Sequence, residues 1–316
     1  GTRRWVFNEL KHDMATNGRV VEHHWNGIIT PGLINAHTHL QYTDMAEVGR
    51  GTYDRFRAWE IGFNTVYAKL QETRPWKESA YRGARMMVQS GTTAAADIVT
   101  DPEAVGALAS QGMHGIAYWE VMGWHNGDWK SEGIPELIDN LGHMHQEGLP
   151  SIGISPHAPY TLESGPFVDL PDIARQLDMR LHIHLAETPM EAGERDTTLT
   201  TYSAADWRDG QWASYKQLRA AGKGASAIQF VDQLGSLGPD VHIAHGVWAD
   251  AEDRRILRQR GVGVALCPRS NRITVTGRDA PIREYLEEGN LLAVGTDSLS
   301  SSPSLDVLDD AAMIYD

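Results

Sequence analysis

Two histidines at the end of an apolar segment are the first residues in this sequence whose types and spacing could support chemistry. His37 and His39 end the segment PGLINAHTH, which begins at Pro31. Side chains two residues apart on a β-strand point to the same face, so a strand here would aim both imidazole rings at one point. Imidazole is a common metal ligand, and the pair therefore predicts a metal site. On its own, the pair fits two exposed histidines at a strand end equally well.

Four later apolar runs also end in polar residues. These residues are His157, His184 with Glu187, His245 and Asp297. In a parallel barrel the carboxyl ends of the strands surround one mouth, so these side chains would converge although they lie far apart in the sequence. Several histidines and an aspartate at such a mouth match the ligands of a catalytic zinc or iron site.

The elements that would position these residues alternate regularly. Short apolar runs predict eight strands, at about 33–39, 92–99, 115–122, 151–157, 180–186, 241–247, 261–267 and 291–296. Amphipathic stretches predict helices at 76–89, 102–112, 134–147, 170–178, 211–221, 225–234, 250–260 and 281–288. Most of the apolar runs lack strict alternation, which is typical of strands buried on both faces of a parallel sheet. We therefore predict an α/β fold, a (β/α)8 TIM barrel with its metal site at the carboxyl ends of the strands. A doubly wound open sheet is the alternative, but no G-x-G-x-x-G motif follows the first strand to support it.

Two insertions fall on predicted loops between a strand and its helix. Gln41–Arg74 follows the first strand and carries Phe56, Trp59, Phe63 and Tyr67, while 187–210 follows the fifth and is rich in Thr, Asp and Glu. Barrel enzymes place their active sites on this face, so the aromatic side chains are candidate pocket walls. Ordinary helix packing explains the same residues as well.

Composition excludes several classes of function. The chain has 316 residues, 41% of them hydrophobic, and a net charge of −14, which argues against a nucleic-acid partner. No apolar run approaches the ~18 residues of a membrane span, and no signal peptide is visible. The single cysteine, Cys267, excludes a disulfide framework. We expect a cytoplasmic protein that acts on a small molecule, forms a homo-oligomer and contacts neither nucleic acid nor membrane.

Five segments, taken in chain order, carry a family resemblance. The segments are PGLINAHTH from Pro31, HLAE from His184, His245-Gly246, CPRSN from Cys267 and GTD from Gly295. This order resembles the amidohydrolase superfamily, and in particular its branch of mononuclear metal aminohydrolases, and the resemblance covers roughly residues 28–305. That branch includes adenosine, S-adenosylhomocysteine, aminodeoxyfutalosine and guanine deaminases, with chlorotriazine hydrolases alongside.

The resemblance implies a metal centre with known ligands. It makes His37, His39, His184 and Asp297 the ligands of one divalent cation, with Zn²⁺ expected and Fe²⁺ as the alternative. Binuclear relatives bridge two metals with a carboxylated lysine on the fourth strand. Ser151–Tyr160 contains no lysine, so we expect a single metal ion.

The resemblance also implies catalytic and substrate-binding residues. Glu187 matches the proton shuttle, His245 matches the histidine that orients the attacking water, and Asp297 would accept that water's proton. Substrate contacts are expected from His157, in the segment Pro-His-Ala-Pro-Tyr, and from the residues Trp59, Asn271 and Arg269. Arg269 is an unusual residue within its segment.

Together these roles imply hydrolytic deamination of an aminopurine nucleoside of the adenosine, S-adenosylhomocysteine or aminodeoxyfutalosine type, with release of ammonia. Glu187 would protonate a ring nitrogen and then pass a proton to the leaving amine, which requires a carboxyl whose pKa is raised toward the working pH. His157 and the aromatic insertion suit a flat heterocycle with a hydroxylated appendage. The alternatives are a chlorotriazine-type or other C–N or amide hydrolase, and a catalytically silent relative that binds a ligand or a partner chain.

The N-terminal region departs from the usual family pattern. Members of the family usually carry a β-sandwich built from both termini. Residues 1–30 predict only a remnant of a small β element, with a turn at Asn17-Gly18 and a possible strand at Arg19–Glu22, and residues 31–316 form the predicted barrel. The sequence begins at Gly1 and stops at Asp316 inside a predicted helix, so we expect both ends to be incomplete.

Overall fold

The structure is a computed structural model that describes residues 26–144, 150–192 and 224–315. In this part of the chain, eight strands form one parallel sheet and follow each other in sequence order. The strands are β1 (Leu33–Thr38), β2 (Thr92–Val99), β3 (His114–Val121), β4 (Ser151–Pro156), β5 (Leu181–Leu185), β6 (Val241–His245), β7 (Gly263–Leu266) and β8 (Leu291–Val294). Each lies within two residues of its predicted position. β5 is buried along its whole length, as its apolar run predicted.

The sheet closes where β8 meets β1. Thr296, just after β8, donates its backbone N–H to the side-chain oxygen of Asn35 at 3.1 Å, and the amide of Asn35 donates to Thr296 Oγ1 at 2.7 Å. Asp297 donates its N–H to the carbonyl of His37 at 2.9 Å. Gly295 permits this approach, because a Cβ there would lie 2.8 Å from His37 Cβ. The predicted (β/α)8 barrel is therefore confirmed.

Helices lie between the strands. The α-helices are α1 (Ala46–Gly49), α2 (Phe56–Gln71), α3 (Trp76–Gln89), α4 (Ala107–Ser110), α5 (Asn126–Asp128), α6 (Ile134–Met144), α7 (Ser164–Gln176), α8 (Ala227–Gln233), α9 (Ala251–Arg260), α10 (Pro268–Ile273), α11 (Ile282–Glu287) and α12 (Val307–Tyr315). Shorter 3₁₀ turns cover Leu40–Met45, Pro102–Ala104 and Pro189–Glu191, and a π-turn covers Trp129–Gly133. None of the helices in the described ranges combines the length and apolar character that a bilayer crossing requires.

Two predicted helices differ from the observed ones. The helix predicted at 102–112 is a 3₁₀ turn followed by α4, and the break falls at Val105-Gly106. The helix predicted at 170–178 is longer at its N-terminus. It begins at Ser164, directly after Glu163, which has an extended backbone. The helix predicted at 211–221 and the strand predicted at 19–22 lie outside the described residues.

The insertion after β1 folds into α1 and α2 beside the barrel mouth. Phe63 and Tyr67 pack with Tyr42 and Trp76 in an apolar cluster separate from the main core, whereas Phe56 belongs to the main core. Phe63 meets Tyr42 edge-on with ring centroids 5.1 Å apart, and Tyr67 stacks on Trp76 at 5.1 Å. Trp59 donates its indole N–H to the carbonyl of Ser300 at 2.9 Å, which holds α2 against the loop after β8. The aromatic residues of this insertion therefore pack against the barrel and also lie beside its mouth.

Candidate metal centre and active-site pocket

Ring nitrogens of His37, His39 and His184 lie within 4.8 Å of one another at the barrel mouth, and a carboxylate oxygen of Asp297 lies against two of these rings. His39 Nε2 lies 3.1 Å from His184 Nε2. Asp297 Oδ1 lies 3.6 Å from His37 Nε2 and 3.5 Å from His39 Nε2. Nitrogen and oxygen ligands held ~2.0–2.2 Å from one ion lie roughly 3–3.5 Å apart, so these spacings fit a shared cation.

Contacts behind these four side chains fix their orientation. His37 Nδ1 lies 2.9 Å from His182 Nε2, and His184 Nδ1 lies 3.2 Å from the carbonyl oxygen of its neighbour His157. Asp297 Oδ2 accepts hydrogen bonds from the hydroxyls of Ser270 at 2.6 Å and Ser301 at 2.8 Å. These contacts leave His37 Nε2 and His184 Nε2 facing the centre together with Asp297 Oδ1, which also accepts the backbone N–H of Ser298 at 2.8 Å.

The donor set fits a divalent cation. His37 Nε2 is buried and has no hydrogen-bond partner among the described residues, which is costly unless something binds it. Burial lowers the pKa of His37 and His184, and it lowers the pKa of His39 to about 3, so the rings are in the neutral form that binds metals. Burial alone would raise the pKa of Asp297, but its contacts with His37 hold that pKa well below the usual range.

Glu187 and His245 lie beside this centre and face each other. His245 Nε2 is 3.6 Å from Glu187 Oε1, while His245 Nδ1 is 2.9 Å from Asn271 Oδ1. The Tyr160 hydroxyl donates to Glu187 Oε2 at 3.3 Å. Burial raises the pKa of Glu187, and the charge of Asp297 adds to this, while His245 and Tyr160 oppose it. A carboxyl with a raised pKa can hold a proton near neutral pH and then give it to a substrate.

The backbone is strained at the strand ends that carry these residues. Ala186, His245 and Asp297 have φ values of +54°, +76° and +58°. A left-handed conformation costs a non-glycine residue ~1–2 kcal/mol and persists only where the surroundings impose it. Such strain marks this rim of the barrel as a functional site.

Glu191 imposes the conformation after β5. Its buried carboxylate accepts the backbone N–H groups of Ala186 at 2.8 Å, Glu187 at 2.9 Å and Thr188 at 3.0 Å. One side chain therefore fixes the segment from which the Glu187 side chain projects.

An aromatic pocket with a volume of ≈ 180 Å³ opens over the centre. Helix α2 contributes three of its aromatic walls, and the others come from the loops after β1 and β4. Such flat apolar walls with a few polar groups are typical of small-molecule sites. The aromatic lining residues are Tyr42, Phe56, Trp59, Phe63 and Tyr160.

Most of the predicted site residues meet at this pocket. Its lining includes His39, Trp59, His157, His184, Glu187, His245 and Asp297. His37 lies behind the metal centre, and Asn271 contacts His245 instead of lining the pocket.

The structure does not bring Arg269 to the pocket. Its guanidinium donates to Asp310 Oδ2 at 2.7 Å, to Asp309 Oδ2 at 2.9 Å and to Ser304 Oγ at 2.8 Å. Arg269 instead ties α10 to α12, because the carboxylates at the start of α12 accept its hydrogen bonds, and its predicted substrate contact stays a prediction.

Sequence reasoning missed Glu120. This residue lies on β3, and its carboxyl is buried beside His157 and His184. Burial raises its pKa to about 8, with a smaller contribution from the charge of Asp297. The available signal was a single carboxylate near the end of an otherwise apolar strand.

Comparison with known proteins agrees with a barrel that carries a candidate metal centre at its mouth. The family model described as "Amidohydrolase family" matches residues 28–315. The chain belongs to the amidohydrolase family.

The individual relatives share less than a third of their aligned residues with this chain. The chain is 28% identical over 296 residues to a 5-methylthioadenosine/S-adenosylhomocysteine deaminase of Thermococcus kodakarensis, covering 91% of this chain and 63% of the relative. It is 24% identical over 311 residues to a 5'-deoxyadenosine deaminase of Methanosphaera stadtmanae, covering 96% and 66%. The chain thus spans less than two thirds of the length of these relatives.

A solved structure shares the fold. The adenosine deaminase of Xanthomonas campestris with bound zinc superimposes with a TM-score of 0.69, at 22% identity, over 90% of this chain and 60% of that one. Identity at this level speaks for the fold alone.

Proposed function

We propose that this protein is a metal-dependent hydrolytic deaminase that acts on an aminopurine nucleoside and releases ammonia. The observation that carries this proposal is the placement of Glu187, a buried carboxyl with a raised pKa that faces His245 at 3.6 Å beside the candidate metal centre. Deamination of a ring needs a proton donor in this position. The deaminase names of the relatives support the same class of reaction.

His37, His39, His184 and Asp297 would hold the cation, with Zn²⁺ preferred. When bound, such a cation lowers the pKa of a coordinated water from ~16 to about 7 and so supplies hydroxide at neutral pH. Asp297, a carboxylate against the centre, would accept the proton of the attacking water and then give it up. His245 has one ring nitrogen held by Asn271, so the other faces the pocket and orients that water.

The remaining protons move through Glu187. The protonated Glu187 carboxyl would give its proton to a ring nitrogen as the ring is attacked. The proton that Asp297 takes from the water would then pass to the amine, which leaves as ammonia, and the second water proton, released as the carbonyl forms, would return to Glu187. The Tyr160 hydroxyl, 3.3 Å from Glu187 Oε2, holds the carboxyl in this orientation. His157 Nδ1 lies 2.7 Å from Thr161 Oγ1, which leaves Nε2 directed toward the substrate.

A panel of amines tests the proposal. Ammonia release by the metal-replete protein is measured with adenosine, 5′-deoxyadenosine, 5′-methylthioadenosine, S-adenosylhomocysteine, aminodeoxyfutalosine, guanine, cytosine and a chlorotriazine. We expect turnover of at least one adenine nucleoside with kcat/KM well above that for guanine and cytosine. Chloride release from the triazine without ammonia release from any nucleoside would replace the proposal with halide hydrolysis. Silence on the whole panel by a metal-loaded protein would overturn it.

A further inference from the structure

Glu120 is a buried carboxyl group that the proposed reaction does not use. Its side chain is only 2% exposed, and Oε1 lies 4.0 Å from His157 Nε2 and 3.8 Å from His184 Nδ1. Both distances are too long for hydrogen bonds. In the described part of the chain, Oε1 has no hydrogen-bond partner. A buried polar atom without a partner costs stability, so a ligand that donates to it would be favoured.

Glu120 stands between two chambers. It lines the pocket over the metal centre and also an adjoining cavity of ≈ 320 Å³. The two chambers share further lining residues, namely Tyr42, Phe63, Asn64 and Met122. The two chambers therefore meet at Glu120, where a substrate bound in the first chamber would contact the carboxyl group.

The walls of the second chamber indicate what it takes. Trp119, Trp124 and Leu137 make it largely apolar, while Glu120 and Glu136 add carboxyl groups. Apolar walls with carboxyl groups suit an uncharged ligand that donates hydrogen bonds better than an anion. In either protonation state, the Glu120 carboxyl keeps an oxygen that accepts such a bond.

The position of Glu187 sets which part of the substrate reaches Glu120. Glu187 contacts Tyr160 and His245, whereas Glu120 lies beside His157 and His184, and both carboxyls line the pocket over the centre. A nucleoside whose ring lies against Glu187 can therefore reach Glu120 with its sugar. We propose that Glu120 accepts a hydrogen bond from a hydroxyl group of the substrate's sugar and so selects hydroxylated nucleosides. This proposal rests on the proposed function of the protein as a nucleoside deaminase.

Kinetics with deoxy analogues test this assignment. kcat/KM is measured for adenosine and its 2′-, 3′- and 5′-deoxy analogues. The wild-type protein is expected to prefer adenosine over one analogue by about 10- to 100-fold, the usual value of a hydrogen bond to a carboxyl group. In Glu120→Met, the adenosine value should fall by that factor while the value for the disfavoured analogue stays within about threefold. Glu120→Gln, which keeps one acceptor oxygen, should retain part of the preference.

Glu132→Met is the matched control, because Glu132 is an exposed carboxyl nearby in the chain that lines neither chamber. It should leave all the values within about twofold. Calorimetric binding of the same nucleosides accompanies the kinetics. An equal fall for every nucleoside in Glu120→Met, or a wild-type protein that turns over all of them equally, would overturn the role of Glu120 and leave the deaminase proposal standing. A wild-type protein that neither binds nor turns over any nucleoside would overturn both.

Discussion

Glu191 holds the backbone from which Glu187 projects, and replacing it tests whether this hold sets the reaction rate. Its carboxylate accepts the N–H groups of Ala186, Glu187 and Thr188 at 2.8, 2.9 and 3.0 Å. The carbonyl of Ala186 accepts the N–H of Trp248 at 2.7 Å, which ties the segment to the loop after β6. Glu191→Gln changes the carboxylate at nearly constant volume.

The expected magnitude follows from these contacts. The amide of Gln has one acceptor oxygen, and its NH₂ group would face a backbone N–H, so at least one buried donor loses its partner at a cost of about 1–3 kcal/mol. The left-handed backbone of Ala186, at φ +54°, is strained in both proteins and cancels from the difference. We expect the free energy of unfolding to fall by about 1–3 kcal/mol. A displacement of the Glu187 carboxyl by ~1 Å would lower kcat by up to about 100-fold.

Urea unfolding, steady-state kinetics and metal content are measured on the same preparation. For Glu191→Gln we expect kcat to fall at least tenfold, KM to stay within about threefold, and one metal ion per chain to remain. The control is Glu163→Gln, because Glu163 also accepts a backbone N–H, that of Asn126 at 2.7 Å, but on a different loop. Its kcat should not change. A Glu191→Gln variant that loses stability and keeps the wild-type kcat would refute the reasoning.

Three further predictions concern pH, structure and metal. Burial raises the pKa of Asp97 to about 8, against a backbone hydrogen bond from Leu40, so the folded protein binds this proton more tightly than the unfolded chain and loses stability as pH rises from about 4 to 8. Asp97→Asn should therefore gain at least about 1 kcal/mol relative to wild type between pH 5 and pH 8 in urea unfolding. Arg269→Met leaves Asp310 buried without its partner and should lower the free energy of unfolding by about 3–5 kcal/mol, with KM within about twofold. Dialysis against a chelator should abolish ammonia release and lower the melting temperature, and added Zn²⁺ should restore both.

Each of these has a clear contrary result. A stability difference for Asp97→Asn that is the same at both pH values would contradict the raised pKa. A large increase in KM for Arg269→Met would return that residue to the substrate site. Full activity after complete removal of metal would contradict a metal-dependent reaction.

The barrel was predictable because its parallel strands are buried on both faces. Such strands appear in the sequence as short apolar runs, and the regular alternation with amphipathic stretches fixes their order. The meeting of His37, His39, His184 and Asp297 followed from that topology, since each lies at or just beyond the carboxyl end of its strand. The separation of β1 from β8 by more than 250 residues did not matter, because barrel closure brings those two strands together.

Contacts that depend on side-chain direction were not predictable in the same way. Arg269 was expected near the substrate, but its partner Asp310 lies 41 residues further along and no local pattern links the two. Glu120 is the single carboxylate of a mostly apolar strand, and only the folded barrel shows which cavity it lines. Glu191 belonged to an insertion noted only for its polar composition, and the backbone hydrogen bonds that give it a role depend on the conformation of Ala186.

The central claim is that Glu187 moves protons in a metal-dependent deamination. The most direct measurement is kcat for ammonia release by Glu187→Gln, with the metal content of the same sample measured alongside. The side chain keeps its size but can no longer hold and give up a proton, so the account predicts an unchanged metal content and a kcat lower by at least about 1000-fold, within the range for general acid–base catalysis. A variant with bound metal and wild-type kcat would contradict the account.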